Sequence, residues 1–478
     1  MTIPAAGILF REVEVRGRIV DVRTRGPRVV EIGERLDPRG GGGTRSEDLF
    51  ECGGAALLPG LHDHHLHLHA MAAARQSVAV GPPAVTDRDG LVAALRAAAS
   101  SAAPGDWIRA VDYHESVAGP LDRDFLDGLR LGVPVRVQHR SGALWVLDSA
   151  ALHHVGQRIP LDSEDVERDP AGVPNGRLWR FDSRLRPGLP ATDGRRHRDA
   201  LGRVRDTLLS HGITGVTDAT PDTDAAAIAE LAAVRPLHVH VLGAPADLPL
   251  GRGQSRGPRK LLLRDHDLPA FDELCRTIDP GALGPRRAPV AVHCVTRESL
   301  VLTLAALREC GPRRGDRIEH ASVAPADLDP LLVEAGVTVV TQPDFLRTRG
   351  DQYLASVDPD DLGCLYRWAT LESAGVPVAA SSDAPYGDPD PWTVLRTAAA
   401  RRTEAGVVLG ADDRVPASRA LDSILRPLAG PGAAPRAVEV GAPATVCLLD
   451  RPLADALEPG GGSPVRLTVV DGAVVWSR

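Results

Sequence analysis

The stretch PGLHDHHLHLH, residues 59–69, decides how this chain is read. Five of the sixteen histidines crowd into its last eight residues, so it is either a solvated histidine-rich loop or a ligand-bearing strand end. The apolar run AALL leads straight into it, which favours the strand, LLPGLHDHHLH over 57–67. Side chains alternate along a strand, so Asp63, His65, His67 and His69 share one face while His62 and His64 take the other. Two imidazoles at i and i+2 can hold one divalent ion from the same side.

Seven further buried strands follow in rhythm with helical stretches. They are ITGVTDA (213–219), LHVHVLGA (237–244), RKLLLRD (259–265), PVAVHCV (289–295), DRIEHA (316–321), VTVVTQP (337–343) and VPVAASSDA (376–384). Helices such as RESLVLTLAALREC and PADLDPLLVEAG sit between them. Eight strands alternating with helices predict an α/β fold of the (β/α)8 TIM barrel class, spanning 59–429. Such barrels do their chemistry at the C-terminal ends of the strands. His293, His320 and Asp383 each stand at such an end, one and two βα units apart, in register with the first strand's HxH. A lone histidine after a strand is usually structural; three suitable residues at three strand ends point to a metal centre.

The gap between the first two strands is too long for one helix. Residues 70–205 therefore read as an inserted subdomain with its own strand, VPVRVQH at 133–139, able to lie over the barrel mouth. Residues 8–35 and 438–476 are short alternating strands broken by Gly and Pro, with a tight turn at Asp471-Gly472. They predict one small β-sandwich domain built from both termini, 1–58 plus 430–478. Residues 37–47 (DPRGGGGTRSE) read as a flexible loop within it.

Composition excludes other classes. A net charge of −8 with both signs interspersed argues against nucleic acid, which selects basic faces. Only 3% of residues are aromatic, so the core must be aliphatic, as in a parallel α/β protein. Six scattered cysteines without a CxxC pair exclude a disulfide framework and a cysteine-type zinc site, and a reducing cytoplasm is expected. No segment reaches membrane-spanning length. The expected partner is a small-molecule substrate, with a homodimer left open.

The order PGLxDxHxH, then His293, then RIEHA, then SSDAP resembles the amidohydrolase superfamily. PNGRLWR (174–180), HGITGVTDAT (211–220), RKLLLRDHDLP (259–269) and DPWTVLRTAAARRT (390–403) are similar to its amidohydrolase-3, or YtcJ-like, branch. The resemblance runs over nearly the whole chain. It implies that His65 and His67 hold one divalent metal, that His293 and His320 hold a second or complete the site around one, and that Asp383 is the catalytic acid/base and a further ligand. The imidazole-rich set points to zinc, one or two ions.

Lys260 is the only lysine in the chain. In some relatives a carboxylated lysine at this strand bridges two metals; the alternative is an ordinary lysine in a basic turn with Arg256 and Arg259. Arginine supplies the other positive charge here and cannot be carboxylated, which gives the choice of lysine a chemical reason. Gln342, ending the seventh strand, is a candidate substrate contact or a buried polar cap; His114, in the insertion beside Tyr113, is a candidate substrate contact or a surface residue. Cys294 points away from the metal by alternation and reads as core.

The implied function is metal-dependent hydrolysis of a carbon–nitrogen bond other than a peptide bond, in a small amide, cyclic amide or carbamate, through an activated water. Ester or lactone hydrolysis, deamination and decarboxylation could use the same constellation. A barrel that binds a metal or ligand without catalysis is the remaining class, and the complete set of HxH, later histidines and Asp383 speaks against it. Two departures bear on substrate. HCVTRES (293–299) stands where the branch has HxxGDR, and Ala143 stands where its insertion has a histidine after Ser-Gly.

Overall fold

In a computed structural model, residues 7–38, 47–82, 84–103, 105–189, 194–221, 223–280 and 287–478 are described. Most of the loop expected at 37–47 lies outside them. The chain divides into two compact units, one of residues 1–68 with 201–478 and the other of residues 69–200.

In the first unit, both ends of the chain form strands. Arg28–Gly33, Arg18–Arg25, Ile8–Val15 and Asp48–Glu51 make one four-stranded sheet in that order. Ala473–Ser477, Val465–Val470, Val446–Leu449 and Leu57–Pro59 make another. Leu57–Pro59 pairs antiparallel with Val446–Leu449, Leu58 opposite Cys447, so the two ends of the sequence share a ladder. One apolar cluster draws on both sheets: Phe10, Val22 and Leu57 meet Val446, Leu448 and Val469. The turn at Asp471-Gly472 has φ of 50° and 80°, the left-handed pair that a two-residue hairpin needs. A Cβ on Gly472 would also lie 1.8 Å from the carbonyl oxygen of Gly26.

The rest of this unit holds nine parallel strands among the described residues, in two sheets. The first runs Gln254–Arg256, His238–Val241, Ile213–Asp218, Leu61–Leu66. The second runs Arg259–Leu262, Val290–Cys294, Arg317–His320, Thr338–Thr341, Val378–Ala380. Every segment read as a buried strand contains one of these. The ninth, Gln254–Arg256, has the polar sequence QSR and carries no apolar signal. Backbone bonds link the sheets on both flanks. Asp383 N donates to His65 O (2.8 Å) and His67 N to Ala384 O (2.9 Å), while Gly243 N donates to Pro258 O (2.8 Å).

Helices follow the strands closely. Thr296 caps helix Arg297–Cys310 in a reciprocal capping box with Ser299, which starts the helix two residues after strand Val290–Cys294. Helices Asp344–Ser356, Pro391–Ala400 and Ala417–Ile424 follow the last two strands. At the base of the second sheet, Arg287 and Asp316 form a fully buried pair at 2.5 Å, and Asp316 also accepts from Val290 N.

The second unit has a six-stranded mixed sheet in the order Val166–Arg168, Pro174–Trp179, Leu144–Leu147, Val135–His139, Ile108–Tyr113, Val78–Ala79. Helix Arg88–Ser101 buries Leu91 and Leu95 against it, in an apolar cluster with Ile108, Val135 and Val137.

Candidate metal centre

The first strand divides its histidines as alternation requires. His62 and His64 turn to helix Ala417–Ile424 and the residues after it, with His62 Nδ1 2.8 Å from Arg426 O and His64 Nε2 3.1 Å from Ser423 O. Asp63 and His65 face the other way. Asp63 accepts from the backbone of His65 (3.0 Å) and Ser382 (3.3 Å), and burial pushes its carboxyl up to about 6. His69 was expected on the same face, but helix Leu68–Ala74 begins before it and ends the alternation.

His65, His320 and Asp383 converge. Their ligand atoms lie within 4.8 Å of one another, and all three residues are buried. His65 Nε2 is 3.5 Å and His67 Nε2 3.1 Å from Asp383 Oδ1, and His320 Nδ1 is 4.0 Å from Asp383 Oδ2. The His293 ring packs on that of His320, with centroids 4.4 Å apart, and His65 and His67 stand at 5.3 Å. The structure thus gathers His65, His67, His293, His320 and Asp383 from four strand ends, two of them from the first.

Backbone geometry brings two of them in. Alternation would put Glu319 and His320 on opposite faces. Instead His320 has φ 72° and Ala321 φ 47°, and the chain rotates the imidazole back toward the centre. Asp383 likewise has φ 54°. Left-handed conformations at non-glycine residues cost of order 1–3 kcal/mol and are held only where the surroundings impose them.

A second layer fixes which nitrogen each ring presents. Glu319 accepts a short hydrogen bond from His65 Nδ1, so Nδ1 carries the hydrogen and Nε2 is bare. Gln342 Oε1, which can only accept, takes the Nδ1 hydrogen of His320 at 2.7 Å, and Gln342 Nε2 donates to Ser381 Oγ at 2.9 Å. Glu319 is held by Arg317, whose Nε donates to it at 2.5 Å while Nη2 donates to His64 O at 2.7 Å. Glu319 and Arg317 escaped the reading of the sequence. The available signal was two charged residues at i and i+2 inside an apolar strand, which share one buried face.

Burial disfavours the charged form of three of the imidazoles. Burial drives His65 and His320 well below the usual histidine range and His293 to about 3, with Lys260 adding to each. Neutral imidazole is the form that binds a metal. Lys260 Nζ is buried with no hydrogen-bond partner, and burial lowers its pKa against the pull of Glu319 and Asp383.

His65 Nε2 and Asp383 Oδ1 are also buried without a hydrogen-bond partner. A bare ring nitrogen and a carboxylate oxygen facing each other, both desolvated, are costly unless something positive bridges them. The donor set of imidazoles and carboxylate therefore fits a divalent cation. His114 lies in the second unit, where it caps helix Glu115–Ala118 and its Nδ1 accepts from Ser116 N at 3.2 Å. Cys294 is fully buried against Thr303, 3.3 Å from its hydroxyl, and burial pushes its thiol up to about 12, as befits a core residue.

The N-substituted formamide deformylase of Arthrobacter pascens is 26% identical over an alignment of 531 positions, covering 98% of this chain and 97% of that protein. The putative amidohydrolase YtcJ of Bacillus subtilis (strain 168) is 23% identical, covering 76% of each. The fold matches that of an uncharacterized metal-dependent hydrolase from Pyrococcus furiosus at TM-score 0.70 and 20% identity, over 95% of this chain and all of that one. Residues 48–476 match the Amidohydrolase family as a whole. With its histidines and aspartate gathered as the motif order requires, the chain belongs to the amidohydrolase family and is an enzyme of that kind, a hydrolase of carbon–nitrogen bonds other than peptide bonds.

Proposed function

We propose that the protein is a metal-dependent hydrolase of a small amide, cyclic amide or carbamate. The observation that carries this reading is the pair of buried, unpartnered atoms, His65 Nε2 and Asp383 Oδ1, facing each other between His67 and His320. His65, His67, His293 and His320 would hold the metal with Asp383, and zinc suits so many imidazoles. When bound, a divalent ion supplies Lewis acidity and brings the pKa of a water to about 7 in the zinc case.

The chain's own groups do the rest. Asp383 takes the proton that the attacking water loses and passes it to the leaving nitrogen. Glu319 and Gln342 hold His65 and His320 in the tautomer with Nε2 bare. Lys260, its pKa lowered by burial, is placed to carry a carboxylate formed from carbon dioxide as a further ligand.

The nine parallel strands are read as one closed (β/α)8 barrel with an added strand, because hydrogen bonds join the two sheets on both flanks. The two terminal sheets around their common cluster are read as a sandwich domain of residues 1–58 with 430–478, beside the barrel of 59–429. The insertion is read as 70–205. No helix of the described residues is long and apolar enough to cross a membrane, and the described cysteines are all free thiols, which supports a cytoplasmic setting.

The deciding experiment measures metal content and turnover on the same preparations, against a panel of amides, cyclic amides, carbamates and esters. Metal-dependent release of amine supports the reading. Metal-free protein that neither regains metal nor turns over any C–N substrate on adding zinc, manganese or cobalt overturns it.

A further inference from the structure

Two of the six cysteines are neighbours across a pair of helices. Cys275 lies in helix Phe271–Ile278, and Cys310 is the last residue of helix Arg297–Cys310. The Cys310 thiol donates to the Cys275 carbonyl oxygen at 3.5 Å, and the two thiols are themselves within hydrogen-bonding reach. Both residues are half-buried, so a small oxidant reaches them from solvent. The other cysteines form no such pair among the described residues. Cys294 meets the Thr303 hydroxyl, Cys364 the carbonyl oxygen of Asp360 and Cys52 that of Phe50, while Cys447 is fully buried.

The surroundings hold this pair in place. Arg287 donates through Nε (3.1 Å) and Nη2 (2.8 Å) to the carbonyl oxygen of Gly311, the residue after Cys310, and Arg287 is itself fixed by the buried Asp316. Leu274 and Ile278, on either side of Cys275 in its helix, are buried. Both backbones are thus anchored, while each thiol can still turn about its Cα–Cβ bond to close the S–S length of about 2.05 Å that a disulfide needs. Burial, and then the neighbouring Cys275 thiol, push the Cys310 thiol up to about 11, so at neutral pH it rests protonated and needs an oxidant before it pairs.

We propose that Cys275 and Cys310 are an oxidation site at which hydrogen peroxide joins helices Phe271–Ile278 and Arg297–Cys310 through a disulfide. One sulfur bonds to a peroxide oxygen as the O–O bond breaks, giving a sulfenic acid and one water. The other sulfur then attacks the first, the S–O bond breaks, and a second water leaves. The two thiols give up two electrons to the peroxide, and both thiol hydrogens end in water. The bridge lies away from the proposed chemistry. Helix Arg297–Cys310 starts two residues after the strand that bears His293, and its 14 residues carry Cys310 roughly 20 Å along the helix from that end. Oxidation therefore clamps the scaffold and leaves the cluster of histidines alone. The inference stands independently of the hydrolase reading.

The test is peptide mapping of the intact, metal-loaded protein after exposure to hydrogen peroxide, with free thiols alkylated as the chain is unfolded. Tryptic cleavage without reductant should yield DHDLPAFDELCR (265–276) joined to ECGPR (309–313), two hydrogen masses lighter than the separate peptides and released by dithiothreitol. Four of the six thiols should remain free. Because the bridge closes a long loop, the oxidised protein should melt about 3 °C or more above the reduced protein. Cys275→Ser and Cys310→Ser should each abolish the linked peptide and the Tm rise, whereas Cys364→Ser should keep both. Six free thiols after peroxide, linkage to another cysteine, or sulfinic acid without linkage overturns the proposal. A linked protein that melts no higher than the reduced one overturns the role as a clamp.

Discussion

Glu319 accepts a hydrogen bond from His65 Nδ1 beneath the candidate metal centre, and Arg317 holds Glu319 there in turn. All three side chains are buried, so the carboxylate's orientation is set by these partners alone. Glu319→Gln keeps an acceptor but removes the charge. Metal affinity is expected to fall about 10–100-fold, the range for losing an outer partner of a ligating histidine. Chelator competition reads this, with circular dichroism confirming the fold. Unchanged affinity would mean that His65 needs no orienting carboxylate.

Asp383 separates catalysis from binding. With the histidines left in place, Asp383→Asn should retain metal while turnover drops by about 10²–10⁴-fold, the usual cost of losing a general acid/base. His65→Ala should lose metal and activity together. Near-full turnover by metal-loaded Asp383→Asn would eliminate the proposed proton path.

Lys260 is expected to react with carbon dioxide. Only the neutral amine adds it, and burial lowers the Lys260 pKa, so the reactive fraction appears at a lower pH than for an exposed lysine and grows as pH rises. After incubation with ¹³C-bicarbonate, a carbamate resonance should appear in the wild type and be missing from Lys260→Met. Identical spectra would leave Lys260 as a buried amine without that role.

Arg287 and Asp316 are both fully buried. Arg287→Ala leaves Asp316 charged without its partner, and breaking such a pair costs about 3–5 kcal/mol. Urea denaturation of the metal-loaded protein should show a loss of this order. A loss below about 1 kcal/mol, the worth of a surface pair, would show that water reaches Asp316.

Much of this was legible because ligands and strands leave periodic marks. His65 and His67 follow an apolar run at spacing two, and His293, His320 and Asp383 close later apolar runs. What escaped had no apolar mark. Gln254–Arg256 is polar yet pairs in a parallel ladder. Only one of the six strands of the second unit is legible in the sequence; of the others, Val78–Ala79 and Val166–Arg168 are too short for periodicity to register. Glu319 looks like a surface residue until Arg317 beside it is seen to share its burial. Gln342 reads in the sequence as either a substrate contact or a buried polar cap, and only the fold brings its amide oxygen to His320. Such partnerships are tertiary, and one chain's sequence does not display them.

The left-handed backbone at His320 has a cost that the folded state bears for the sake of its chemistry. Glycine adopts φ 72° without penalty, whereas an L-residue gives up about 1–2 kcal/mol there. Site and scaffold are thus in competition at this residue. A selection for thermal resistance alone would favour glycine at this position and so remove the imidazole.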